Sequence, residues 1–226
     1  EMCIRDSFPT GEKLVDTLDN FLWLNELPVD STSQYAQWCV FEAAKDAGVT
    51  VLLDGQGGDE ILAGYEQYFA PYLATYRKNN SDIAQEERVI RNRYPLALST
   101  RDQRWKNHLP QSAKKFLSRT FGRGSGVLLA LDAGVATQVR EDAGTPPDDL
   151  HAALRKDAFS GFLTTLLRYG DRNSMAHSRE VRLPFCDHRI LEFVATLPAE
   201  MLMGSAQTKY VLRQAMSGIL PESIVT

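Results

Sequence analysis

No apolar run in these 226 residues approaches the ~18 positions that a bilayer-spanning helix needs. The N-terminus lacks an apolar core ahead of a small-residue cleavage site, so no secretory signal is read there. Cysteine is scarce: Cys3, Cys39 and Cys186 are an odd number, far apart and without paired spacing. That argues against a disulfide framework or a zinc site and fits a reducing cytoplasm. Charge of one sign is lacking too. A net charge of −4 gives no general case for nucleic acid or a membrane surface as partner. Neither internal repeats nor low-complexity tracts occur. What remains is the composition of an ordinary globular chain, long enough for one or two domains with a sizeable core.

The charge is uneven. Between Arg77 and Arg123 there are 12 Lys/Arg against 4 Asp/Glu. These basic residues are not interleaved with stacking aromatics, so the stretch reads as a solvated helical face rather than an RNA-binding surface.

The most informative segment is VTVLLDGQGGDEILAG, residues 49–64. A β-rich run from Val49 to Leu53 stops at Asp54. A turn with Gly55, Gly57 and Gly58 follows, and a helix is expected from Asp59-Glu60, with Ile61 and Leu62 as its first apolar residues. Strand, glycine turn and helix is how α/β proteins bind phosphate: glycines let the backbone approach an anion, and the helix start stabilises it. Asp59 sits where a carboxylate could hold magnesium against those phosphates. The plainer alternative is that Asp59 and Glu60 only complement the helix dipole. The turn is not a Walker A loop, since no G-K-[ST] follows, and the G-x-G-x-x-G spacing is absent.

Elsewhere, residues 11–24 carry Leu14, Leu18, Phe21 and Leu22 at helical spacing, and Pro28 ends that unit. Ser33 to Ala47 reads as a second helix with Ala36, Val40, Ala43 and Ala44 on its apolar face, capped by Gly48. Only one convincing strand is visible, so the rest of a sheet is expected upstream of residue 1. Residues 70–150, with Pro71, Pro95, Pro110 and Pro146-Pro147, read as short helices and loops, an insertion between core parts. Gly122 to Gly126 is a turn. His151 to Arg168 reads as one long helix. Asp187 caps DHRILEFVATL, and Thr208 to Met216 is a further helix with Gly218 beyond it. The first seven residues, EMCIRDS, read as translated sequencing adapter, which makes the chain a piece of a longer gene.

Three blocks then occur in order: LLDGQGGDEILAGY, LLRYGDRNSMAHSREVRLPFCD and QTKYVLRQAMSGILPESI. Together they resemble the synthetase domain of glutamine-dependent asparagine synthetases, over most of residues 11–226 except the irregular middle. The resemblance implies an α/β chain, mostly helical here: part of an adenine-nucleotide α-hydrolase-like (ATP pyrophosphatase) parallel-sheet domain over 8–226, after a non-native leader at 1–7. It implies ATP and Mg2+, with aspartate activated as an acyl-adenylate and amidated by ammonia released from glutamine. It implies a cytoplasmic location and a homodimer when full length.

By resemblance, Asp54, Gly55, Gly57 and Gly58 meet the nucleotide, Asp59 holds magnesium, and Lys209 contacts the phosphates as pyrophosphate leaves. Gln56 stands where classical members have a glutamate thought to assist adenylation, and an amide cannot act as a general base. Leu166 falls where they place a second acid. Glu26 lies where many relatives have an acidic pair before proline. Asp171–Arg172 and Glu180–Arg182 read as scaffold ion pairs, and His177 as a structural hydrogen-bonding group.

The family's S-G-G-x-D-S loop and the cysteine nucleophile of its glutaminase domain are not in these residues. The Val49–Leu53 strand is therefore expected to show an uncovered face, and the chain alone to be inactive and loosely packed. Two competing readings are a synthetase for another carboxylate, such as a peptide side chain or a sugar acid, and a non-catalytic binding module.

Overall fold

The computed structural model describes residues 6–29, 31–79, 83–95, 97–98, 147 and 149–225. Most of the basic stretch, Pro110, the Gly122–Gly126 turn, Pro146 and the first five residues of the leader lie outside the described residues.

The chain is mostly helical, with one small parallel sheet, an arrangement compatible with an α/β fold. Helix α1 spans Gly11–Asn25 and α2 spans Thr32–Asp46. Both start on a hydroxyl cap, Thr10 accepting from the Lys13 amide and Ser31 from the Ser33 amide. Gly48, at φ 71°, lets the chain turn out of α2, and the Val49 amide returns to the Ala44 carbonyl. Strand β1, Val51–Leu53, follows at once.

The second strand, β2, is Glu180–Arg182, paired parallel with β1 so that Val51 faces Glu180 and Leu53 faces Arg182. It carries no apolar run, which is why the sequence concealed it. Leu52 and Val181 are half-buried, whereas Val51 and Leu53 point out, Leu53 being 76% exposed. The expected uncovered strand face is thus present. Glu180 and Arg182 do pair, at 3.6 Å and in solvent.

The stretch after Tyr68 is more regular than its prolines suggest. Helices α4, Phe69–Asn79, and α5, Ile83–Arg93, both form. Pro71 lies in the first turn of α4, where its missing N–H removes no helical bond, and Pro95 comes after α5 has ended. Their Phe69, Tyr72, Leu73 and Ile90 are buried in the main core with Leu150, Leu202 and Met203.

The long helix expected over 151–168 is two: α6, Leu150–Phe159, and α7, Phe162–Ala176. The break falls at Gly161, whose backbone (φ −118°, ψ −132°) is not helical. After β2 come α8, His188–Thr196, capped by Asp187 as read from the sequence, and α9, Ala199–Met203. The chain continues with α10, Tyr210–Met216, and α11, Glu222–Val225.

A smaller core of Phe21, Tyr35, Trp38 and Cys39 holds α1 and α2 together. The buried face of α2 is therefore turned from the one expected: Val40 is 51% exposed, while Trp38 meets Phe21 edge-on at 5.3 Å. The aromatic rings bury far more surface than the alanines that suggested the other face. Between α1, α2 and α7, Asn173 accepts from Asn25 at 3.0 Å and donates to the Gln34 carbonyl at 2.9 Å. Arg172 pairs with Glu26 at 2.7 Å rather than with Asp171.

His177 is not held by a hydrogen bond at Nε2. That atom is buried without a partner, and the ring stands edge-on to Trp38 at 4.5 Å. Burial pulls its pKa below the ordinary histidine value; Glu42 and Asp46 oppose that shift, and Lys45 and Lys13 add to it. Its native form is neutral, so the unfolded chain binds the extra proton. Its contribution is complete above about pH 6.5 and is lost as pH falls through the depressed value. The midpoint of thermal unfolding should therefore drop between pH 7.5 and 5, and drop less in His177→Phe. Equal slopes for the two proteins would remove His177 as the cause.

Candidate active site

β1 delivers the chain into the glycine turn. The Asp54 amide still bonds the Arg182 carbonyl at 3.0 Å, extending the ladder by one residue. The Gly58 amide then closes a tight turn onto the Gly55 carbonyl at 3.1 Å. Gly57 has φ 90°, a conformation that L-residues rarely adopt.

Two of the glycines are closely covered by the chain itself. A Cβ on Gly57 would stand 2.8 Å from Cys186 Sγ, and one on Gly58 would stand 3.3 Å from the Phe185 ring. Their bare faces are filled by the chain itself, by the Pro184–Cys186 turn after β2. Only Gly55 opens onto free space. The Cys186 thiol, which donates to the Gln56 carbonyl at 3.5 Å, is pushed up by burial. Phe185 and Cys186 were missed because a single P-F-C-D run gives no sign of what it packs against. Gly57→Ala should cost about 2–3 kcal/mol from backbone strain plus the clash. Cys186→Ala in the same chain should restore only the clash part, measured by urea unfolding. Full recovery in the double variant would take backbone strain out of the explanation.

The helix that follows is also shorter than expected. α3 is the single turn Gly58–Ile61, starting one residue early and ending where Ala63 takes φ 56°. The Gly64 amide folds back to the Asp59 carbonyl at 2.8 Å. One turn carries little macrodipole, and the positive charge beside it belongs to a side chain.

That side chain is Lys209. It stands at the start of α10 in a left-handed conformation, φ 53°, with its amide 3.4 Å from the Ala63 carbonyl. Its Nζ lies 2.9 Å from Asp59 Oδ1, and both side chains are partly exposed. The structure thus brings together the two residues that the sequence singled out for metal and phosphate. Asp54 and Gln56 are half-buried and Gly55 is exposed along the turn leading to Asp59.

Glu60, read as a first-turn acid, does lie in the first turn of α3 and is buried there at 1% exposure. Tyr65 donates its hydroxyl to it at 2.5 Å, and burial, reinforced by this carboxylate, drives the phenol pKa upward. Glu60 also borders a cavity of about 870 Å3, with Ile61, His151, Leu154, Phe159 and Val194, that neither Asp59 nor Lys209 lines. Leu166 is buried, and an apolar side chain there supplies no acid.

No group of three or more His, Cys, Asp or Glu side chains among the described residues could cage a metal ion. A magnesium ion shared with a nucleotide needs one or two carboxylates from the protein, and Asp59 is a partly exposed one.

The asparagine synthase family model matches residues 6–226. The chain belongs to the asparagine synthase family. It is 31% identical over 220 residues to a glutamine-hydrolysing asparagine synthetase 3 of Bacillus subtilis (strain 168), covering 94% of this chain and 31% of that protein. It is 24% identical over 241 residues to asparagine synthetase 1 of the same organism, covering 95% of this chain and 35% of the relative. It is also 24% identical over 242 residues to a protein named amidase chry2 of Gibberella zeae, covering 94% and 36%. The chain spans about a third of the length of these relatives. No solved structure matches it.

Proposed function

We propose that this chain is the ATP-handling part of a ligase that converts aspartate to asparagine, in an adenine-nucleotide α-hydrolase-like domain. A carboxylate is a poor electrophile because oxide would have to leave. In the proposed reaction an oxygen of the aspartate side chain attacks the α-phosphorus of ATP. The bond to the β-phosphate breaks, and pyrophosphate departs with its electron pair. Ammonia, supplied by glutamine hydrolysis elsewhere in the complete protein, attacks the acyl carbon; AMP leaves and one proton is lost to water.

The observation that carries this reading is the Asp59–Lys209 contact at the mouth of the glycine turn. Asp59 is the residue to hold Mg2+, which when bound supplies charge neutralisation on the phosphates. Lys209 is the residue to stabilise the charge that develops as pyrophosphate leaves. Gly55 leaves room for the nucleotide beside Asp54. Gln56 can orient a substrate oxygen by hydrogen bonding but cannot take a proton. The non-catalytic alternative is disfavoured, because a binding module has no need of both Asp59 and Lys209.

The test is ATP–pyrophosphate exchange with aspartate present or absent, in this chain and in the complete protein obtained by extending its reading frame upstream. Exchange that requires aspartate supports the proposal. Exchange that ignores aspartate but requires another carboxylate favours a second reading, in which the acceptor is a peptide or sugar acid. The amidase-named relatives, together with Gln56 and Leu166, are the observations on its side.

A further inference from the structure

Gly64 lies outside the glycine turn, and its backbone does not need glycine. Its φ is not in the left-handed range, unlike those of Gly48, Gly57 and Gly218. Space is what it needs. A Cβ at this position would fall 1.8 Å from Asp59 Oδ1, 2.7 Å from Asp59 Cγ and 2.5 Å from Lys209 Cε. No other residue supplies any of its three nearest atoms. The bare face of Gly64 is therefore covered by the carboxylate and the lysine stem that form the 2.9 Å pair.

We propose that Gly64 is a positioning residue whose missing side chain creates the space in which Asp59 and Lys209 close on each other. The inference rests on the functional reading above only in treating those two as working groups. Its geometry has two anchors. The Gly64 amide is fixed to the Asp59 carbonyl at 2.8 Å, and the adjoining Ala63 carbonyl receives the Lys209 amide at 3.4 Å. Residues 63 and 64 thus hold the backbones of both partners while leaving their side chains a common space. The three nearest atoms belong to side chains, not to backbone. A methyl group at 64 therefore drives the pair apart before it disturbs the fold.

The first test reads Lys209 directly. The full chain is acetylated with an N-hydroxysuccinimide ester, and the rate at Lys209 is followed by peptide mass spectrometry with exposed Lys45 as internal reference. Gly64→Ala should raise the Lys209 rate severalfold with Lys45 unchanged, and Asp59→Asn, which leaves Gly64 intact, should do the same. A Gly64→Ala chain that labels Lys209 as the wild type does, while Asp59→Asn labels it faster, would overturn the proposal.

The second test is a stability cycle. Gly64→Ala should lower the thermal midpoint by several degrees in the wild-type chain. It should have little effect in an Asp59→Ala/Lys209→Ala background, where the colliding atoms are gone. An equal loss in both backgrounds would place the damage in the backbone and overturn the idea, as would no loss in either. If Gly64→Ala alone does not fold, folding of the triple variant supports the proposal and its failure to fold refutes it. Neither readout involves ATP, so a failed exchange experiment would reject the functional reading and leave these results standing.

Discussion

In the complete protein, Lys209→Ala should reduce aspartate-dependent ATP–pyrophosphate exchange by roughly 10²–10³-fold, the loss typical when one preorganised charge-stabilising group is removed. The same substitution should barely affect stability. The ion pair with Asp59 is partly solvated, and such pairs contribute no more than about 1 kcal/mol. Asp59 keeps enough exposure to be hydrated when its partner is gone, so no buried charge is stranded. This separation of effects makes the experiment decisive: kcat for exchange collapses while the urea midpoint stays in place. A loss below about tenfold, in a chain that unfolds normally, would reduce Lys209 to a surface partner of Asp59 and remove the main support for pyrophosphate chemistry at this turn.

The second large effect is structural. Trp38→Ala should cost about 3–5 kcal/mol, because the buried indole fills the small core between α1, α2 and α7. That is a large part of the ~5–15 kcal/mol that domains generally have. Val40→Ala, two positions along the same helix, should change stability by no more than ~0.5 kcal/mol, since that side chain is half in solvent. Urea unfolding of both variants checks the pair. Hydrogen exchange should show α1 and α2 opening first in Trp38→Ala, with the core around Phe69 and Leu202 still protected. A Val40→Ala loss as large as that of Trp38→Ala would restore the helix face read from the sequence.

That contrast shows what the sequence could and could not reveal. The existence of α1 and α2, their ends to within one residue of Asn25 and Asp46 and the turn at Gly48 were legible, because caps and periodicity act locally. The burial face of α2 was not, because it is set by which aromatic rings meet across helices. β2 escaped notice because three residues, two of them charged, give no strand pattern until β1 lies beside them. The break at Gly161 and the one-turn length of α3 depend on single backbone conformations at Gly161 and Ala63. Of the candidate site, the three turn glycines and Asp59 were read from the strand–turn–helix pattern, and Asp54, Gln56 and Lys209 by resemblance to a family. Spacing alone offered no reason for Lys209 to meet Asp59, and it gave no hint that Phe185, Cys186 and Gly64 define the space around them.

The parallel pairing of β1 with β2 also sets a timetable. Its two strands lie about 130 residues apart in the chain, and Asp59 and Lys209 about 150, so a ribosome adding ~5–20 residues per second needs roughly 6–30 s to pass from one partner to the other. During that interval Ile61, Leu62 and Ala63, which end up buried, have emerged before the segments that cover them. The glycine turn is made early and completed late. Its assembly is therefore governed by the last third of the chain, and ribosome-bound intermediates halted before residue 180 should carry the turn without its partner strand.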